Sequence, residues 1–133
     1  MRSIAAAILA PILLLGCQNK PLPPGSAGTW KAVGQQVQCI NLDEVVSRQA
    51  AGPQAILFRM TGGRSYRNDL AGSCPGLARS SALDVIQVET AGPQLCRDDS
   101  VRVYDPVQAK AVGAQAFAKC RLGAFTRVGN RVK

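Results

Sequence analysis

The chain has 133 residues, 47% of them hydrophobic and 18% charged, with sixteen Lys and Arg against eight Asp and Glu, a net charge of +8. That mixture excludes a collagen, a coiled coil and wholesale disorder, and the length allows one domain. Histidine is absent, which removes Ser-His-Asp and Cys-His catalysis and every His-bearing zinc site.

The first element in chain order is residues 1–16. Met1-Arg2-Ser3 leads into an apolar run from Ile4 to Leu15, broken only by Pro11. A positive start before a short apolar stretch is the pattern of a secretory signal peptide, and a run of this length, at about 1.5 Å per residue, is too short to span a bilayer. The run ends Leu14-Leu15-Gly16-Cys17. This resembles the bacterial lipobox, whose cysteine is acylated and becomes the first residue after cleavage. An ordinary signal peptide ending near a cysteine is the alternative. Two or three acyl chains on Cys17 hold a protein on a bilayer where a single one would not. Gln18 stands where lipoproteins of this kind carry an Asp for inner-membrane retention. The expected location is therefore the cell envelope, at the outer membrane and facing the periplasm.

Residues 17–29 read as the acylated cysteine and a tether. Three prolines and two glycines between Gln18 and Gly28 cannot build a core, and such a stretch is semi-extended, reaching up to about 35 Å at roughly 3.3 Å per residue. Residues 30–133 then form a single small domain that begins at Trp30.

Within the domain, Val37–Ile40 reads as a strand. Asn41 with Glu44 three residues on makes a capping-box-like helix start, which Gly52-Pro53 would stop. Ala55–Met60 and Arg64–Asn68 flank Thr61-Gly62-Gly63 as a hairpin. A two-residue turn would set Phe58 opposite Arg67. A three-residue turn sets Phe58 opposite Tyr66 and Met60 beside Arg64, which keeps the apolar residues on one face and is preferred. Leu83–Val88, Val101–Tyr104 and Ala124–Val128 are further strands. Asp105-Pro106, with Gln108 at the third helical position, starts a second helix running toward Lys119, weakened by Gly113.

Cys39, Cys74, Cys96 and Cys120 remain after Cys17, and they contain neither the close pairs of a zinc site nor a CxxC motif. In an oxidising compartment an even count of well-spaced cysteines reads as two disulfides. Three pairings are open. Cys74–Cys96 with Cys39–Cys120 is preferred, because the first closes a short loop and the second ties the ends of the domain. The expected fold is mainly β, a small antiparallel sheet or partly open barrel with one or two short helices, stabilised by disulfides.

Cys39-Ile40, Ile56-Leu57-Phe58, the run Gly62 to Leu70, Cys74-Pro75-Gly76-Leu77, Leu95-Cys96-Arg97-Asp98-Asp99 and Cys120-Arg121-Leu122-Gly123-Ala124-Phe125 follow one another in that order. The series resembles a family of small uncharacterised proteobacterial lipoproteins, a domain of unknown function, over about residues 36–128. The resemblance implies a secreted, cysteine-paired, mainly β domain and supplies no activity. The Ala-rich stretch 107–119 departs from that family's more Gly-rich loop.

No catalytic set stands out. Asp69 with Asp98 or Asp99, and Arg67, lie in those motifs and offer the alternative of a small hydrolase or lyase, but nothing in their spacing brings them together. Asp98-Asp99 lacks the further oxygen ligands of a calcium loop, and no metal or cofactor is expected. The basic balance says more. Without Arg2 the chain carries fifteen bases against eight acids, a charge of +7. Arg64, Arg67, Arg121, Arg127 and Arg131 are the candidate contacts for an anionic ligand. In this compartment the partners for such a surface, besides the membrane held by the lipid anchor, are an anionic envelope component or a partner protein. Nucleic acid is a poor fit, because the location is wrong and stacking aromatics are few.

Overall fold

A computed structural model describes residues 30–129. The leader, Cys17, the tether and residues 130–133 with Arg131 lie outside the described residues. The strands in chain order are β1 (Ala32–Val37), β2 (Cys39–Asn41), β3 (Val45–Ala50), β4 (Ala55–Met60), β5 (Ser65–Asp69), β6 (Val85–Glu89), β7 (Gln94–Cys96), β8 (Ser100–Tyr104), β9 (Lys119–Arg121) and β10 (Phe125–Val128). Helix α1 (Pro75–Ala78) precedes β6, and α2 (Pro106–Val112) follows β8. The strands form three antiparallel sheets, of order β1-β10-β5-β4-β3, β6-β8-β9 and β2-β7, and no sheet closes into a barrel. The mainly β, disulfide-bonded fold with short helices is as the sequence implies.

The β4–β5 hairpin has the preferred register, with Phe58 opposite Tyr66. Its turn is Thr61–Gly63, where Gly62 (φ 74°) and Gly63 (φ 78°) take the left-handed backbone that lets so short a loop reverse. The Met60 N–H donates to the Arg64 carbonyl at 2.8 Å. Ile56, Phe58 and Met60 enter one core with Ile40 and Leu95 from the two-stranded sheet and Ile86, Val101 and Val103 from the three-stranded sheet. All three sheets therefore feed this one cluster. Phe58 and Phe125 meet edge-to-face, 5.5 Å between centroids. On the other face of β4, Ala55 and Leu57 pack with Val128 and Trp30 in a second, smaller cluster. Arg59 is the one exposed residue of that strand.

Four expectations need correcting. The strand expected at Val37–Ile40 is two strands: β1 ends at Val37, and β2 joins a different sheet. The chain breaks at Gln38, whose carbonyl accepts from the Arg97 N–H at 2.7 Å. The helix expected after Asn41 is one turn of 3₁₀ helix, Leu42–Glu44. Asn41 does cap it, accepting from the Asp43 N–H at 3.1 Å, but Val45-Val46 are β-branched and the free edge of β4 offers a ladder, so the chain continues as β3. The second helix starts as read, with the Asp105 carboxylate accepting from the Val107 and Gln108 N–H groups. It stops at Gly113 (φ 82°), well before Lys119.

The fourth correction is the disulfide pairing. The bonds are Cys39–Cys96 and Cys74–Cys120, not Cys74–Cys96 with Cys39–Cys120. Cys39 and Cys96 are direct register partners across β2 and β7, so strand pairing decides the first bond. The second ties the start of α1 to β9 and is buried with the core, Cys74 2% and Cys120 4% exposed.

Candidate functional site

The order β1-β10-β5-β4-β3 gathers four chain features at one end of the five-stranded sheet. They are the start of β1, the end of β10, the β4–β5 turn and the start of β3. Trp30 and Lys31 therefore lie beside the last described residues, and the Gly129 N–H donates to the Lys31 carbonyl at 2.9 Å. The described chain begins at this end, at Trp30.

A groove of about 450 Å³ opens here, lined by Trp30, Val46, Gln49, Arg59, Arg64 and Ser65, among others. Arg64 extends from the hairpin turn and pairs with Glu44. Arg59 and Lys31 are exposed and make no ion pair with a described residue. Val46, at an irregularity in the β3–β4 register, is 68% exposed on the rim.

The five arginines grouped in the sequence as anion contacts do not form one set. Arg64, Arg67 and Arg127 lie on or next to the neighbouring strands β5 and β10, whereas Arg121 belongs to β9 in the three-stranded sheet. Arg67 is bound to Asp69 at 2.8 Å, and Arg121 lies 4.0 Å from Asp98. Arg127 lies across Gly34 of β1 and pairs with no described acid. Trp30 and Lys31 carry no signal for this site in the sequence, whereas Arg59 belongs with Arg64 and Arg67 to the basic charge of the hairpin, though not to the five candidate contacts, and is a lone cation inside the apolar strand Ala55–Met60.

The acids and glycines of the motif series are occupied in holding the fold. Asn68 is fully buried; its amide donates to the Gly123 carbonyl at 2.8 Å and accepts from the Gly123 N–H at 2.9 Å. A Cβ on Gly123 would lie 2.1 Å from the Asp69 carbonyl oxygen, and one on Gly76 would lie 2.4 Å from that of Val103. Only glycine allows either approach. Asp98 takes the positive φ of a tight turn (75°), and the Asp99 carboxylate accepts from the Cys96 N–H at 2.7 Å. A second hollow, of about 460 Å³, holds Arg48, Ser81 and Asp84. Its Asp84 carboxylate caps a turn, accepting from the Ser81 N–H at 2.8 Å and the Ser81 hydroxyl at 3.2 Å.

The three-stranded sheet holds a closed charge network. Arg102, 6% exposed, donates to Glu89 at 2.6 Å and to the carbonyls of Gln115 and Phe117. Lys119 reaches the other Glu89 oxygen at 2.7 Å. Hydrogen bonds from Lys119 and Arg102 hold the Glu89 carboxyl below its ordinary range, against an opposing desolvation. Tyr104 stacks on Phe117 at 5.3 Å and donates to the Gln87 side chain at 2.8 Å.

Among the described residues no group of three His, Cys, Asp or Glu side chains could hold a metal ion, and no described helix is long and apolar enough to cross a membrane. Comparison of the chain with family models, curated proteins and solved structures gave no match.

Proposed function

We propose that the chain is a lipid-anchored envelope protein of binding or structural role, held on the outer membrane through acylated Cys17, whose basic domain binds an anionic envelope component. The resemblance to small envelope lipoproteins belongs to the same reading. The observation that supports it most is the uncompensated charge of Lys31 and Arg59 at the sheet end where the described chain begins. Cations placed there meet the surface potential of an anionic leaflet within a Debye length, about 8 Å at physiological salt. The alternative of an Asp/Arg hydrolase or lyase has less support. Arg67 and Asp69 share a hollow of about 140 Å³ but are bound to each other, and Asp98 and Asp99 serve a turn.

The test is co-sedimentation of residues 18–133, which keep every described contact, with phosphatidylglycerol and phosphatidylcholine vesicles over a salt series. Binding to the anionic vesicles that weakens as salt rises is expected. Absent or salt-insensitive binding would overturn the electrostatic reading.

A further inference from the structure

We propose that the groove beside Trp30 seats the phosphate headgroup of an anionic membrane phospholipid, gripped by Arg59 and Arg64. This rests on the lipid-anchored reading above and narrows it to one site and one ligand class.

The chemistry of the lining carries the argument. A guanidinium presents planar, forked donors that match phosphate oxygens two at a time. Arg59 has its whole fork uncommitted among the described residues, and Arg64 spends part of its own on Glu44. Ser65 adds a hydroxyl to the same wall. Trp30 contributes an indole, half-buried, with an apolar body and one N–H donor, the kind of side chain that lodges at a membrane–water boundary. Val46 extends the apolar rim beside it. Glu44 is the one acid paired with these cations, so the groove keeps a net positive charge.

Geometry chooses the occupant. Trp30 both lines the groove and begins the described chain, so Cys17 is only a short linker away in sequence. A flexible chain of that length averages about 20 Å end to end. Anchoring therefore presents bilayer headgroups to this groove at a high effective concentration, which no soluble anion shares.

The experiment uses the full acylated chain reconstituted into vesicles of phosphatidylcholine, alone or mixed with phosphatidylglycerol. Trp30 is the single tryptophan, so its emission reports on the groove directly. A blue shift with loss of acrylamide quenching is expected in the mixed vesicles only. It should vanish in Arg59→Gln and persist in Lys110→Gln, whose exposed ammonium lies on α2. Identical emission in both vesicle types, or a shift that survives Arg59→Gln, would overturn the proposal. So would an equal shift on adding inorganic phosphate to phosphatidylcholine vesicles, since the ligand would then be a soluble anion. Arg59 is exposed, and an unchanged denaturation midpoint in Arg59→Gln confirms that the fold is intact. Vesicle flotation reads the anchor separately. A chain that fails to float sinks the lipid-anchored reading. A chain that floats without an Arg59-dependent shift sinks only the groove.

Discussion

The Glu89 network of the three-stranded sheet and the Trp30 end of the five-stranded sheet treat their positive charges in opposite ways. On the three-stranded sheet, Arg102 is surrounded by Glu89 and two backbone carbonyls, and Lys119 completes the pair on Glu89. On the five-stranded sheet, Arg59 and Lys31 have no acid among the described residues, and Arg64 has only Glu44. A satisfied, covered arginine is part of the framework, and removing it leaves Glu89 with Lys119 alone and takes a donor from two carbonyls. An exposed arginine without a partner adds little to stability and is available to something outside the chain. The difference lies in the neighbours, not in the residue type.

The comparison presupposes that the scaffold is pinned, and the largest effect comes from unpinning it. Replacing Cys74 and Cys120 by Ala opens a loop of sequence separation 46, and loop-closure entropy puts the loss at about 4 kcal/mol. Urea denaturation of the variant measures it; a loss below about 1 kcal/mol would mean that the sheets hold without the bridge. Next, Arg102→Ala should cost about 2 kcal/mol through its lost hydrogen bonds, whereas Arg59→Ala should stay within about 0.5 kcal/mol. Equal losses in the two variants would erase the contrast drawn here. The smallest effect is confined to acid. Glu89 titrates below the ordinary 4.5 of a free Glu. Its contribution is therefore complete above that pH and is lost as the pH falls through the lowered value. Denaturation midpoints across the acid range should fall less steeply in Glu89→Gln than in the parent chain.

Local signals in the sequence were legible where one strand or one turn decides the outcome. The hairpin register follows from the alternation around Phe58 and Tyr66 together with two glycines in the turn. The Asp105 cap follows from its position before Pro106. Long-range pairing was not legible. Asn41 and Glu44 carry a genuine helix-start pattern, yet a sheet edge captures Val45 onward, and no local propensity reveals that β4 has an open side. The cysteine partners depend on β2 meeting β7 across a gap of 57 residues, which spacing does not encode. The candidate site was partly legible. Positive charge on the hairpin was visible, but Trp30 and Arg59 become neighbours only once β1 has crossed to β10 and β4 has paired with β5. Arg67 and Arg121 stood out by charge alone, and each has an acid close at hand in the folded chain.

The two disulfides interleave: one end of each lies between the ends of the other in the chain. A chain delivered amino end first into an oxidising space exposes Cys39 and Cys74 together before Cys96 or Cys120 has arrived. An oxidant that joins thiols in order of appearance would make a Cys39–Cys74 bond, which the folded protein does not contain. Reaching the native pattern then requires either strand pairing before oxidation or thiol–disulfide exchange after it. The order of the cysteines thus makes oxidative folding of this domain a contest between strand pairing and thiol oxidation, independently of what the domain binds.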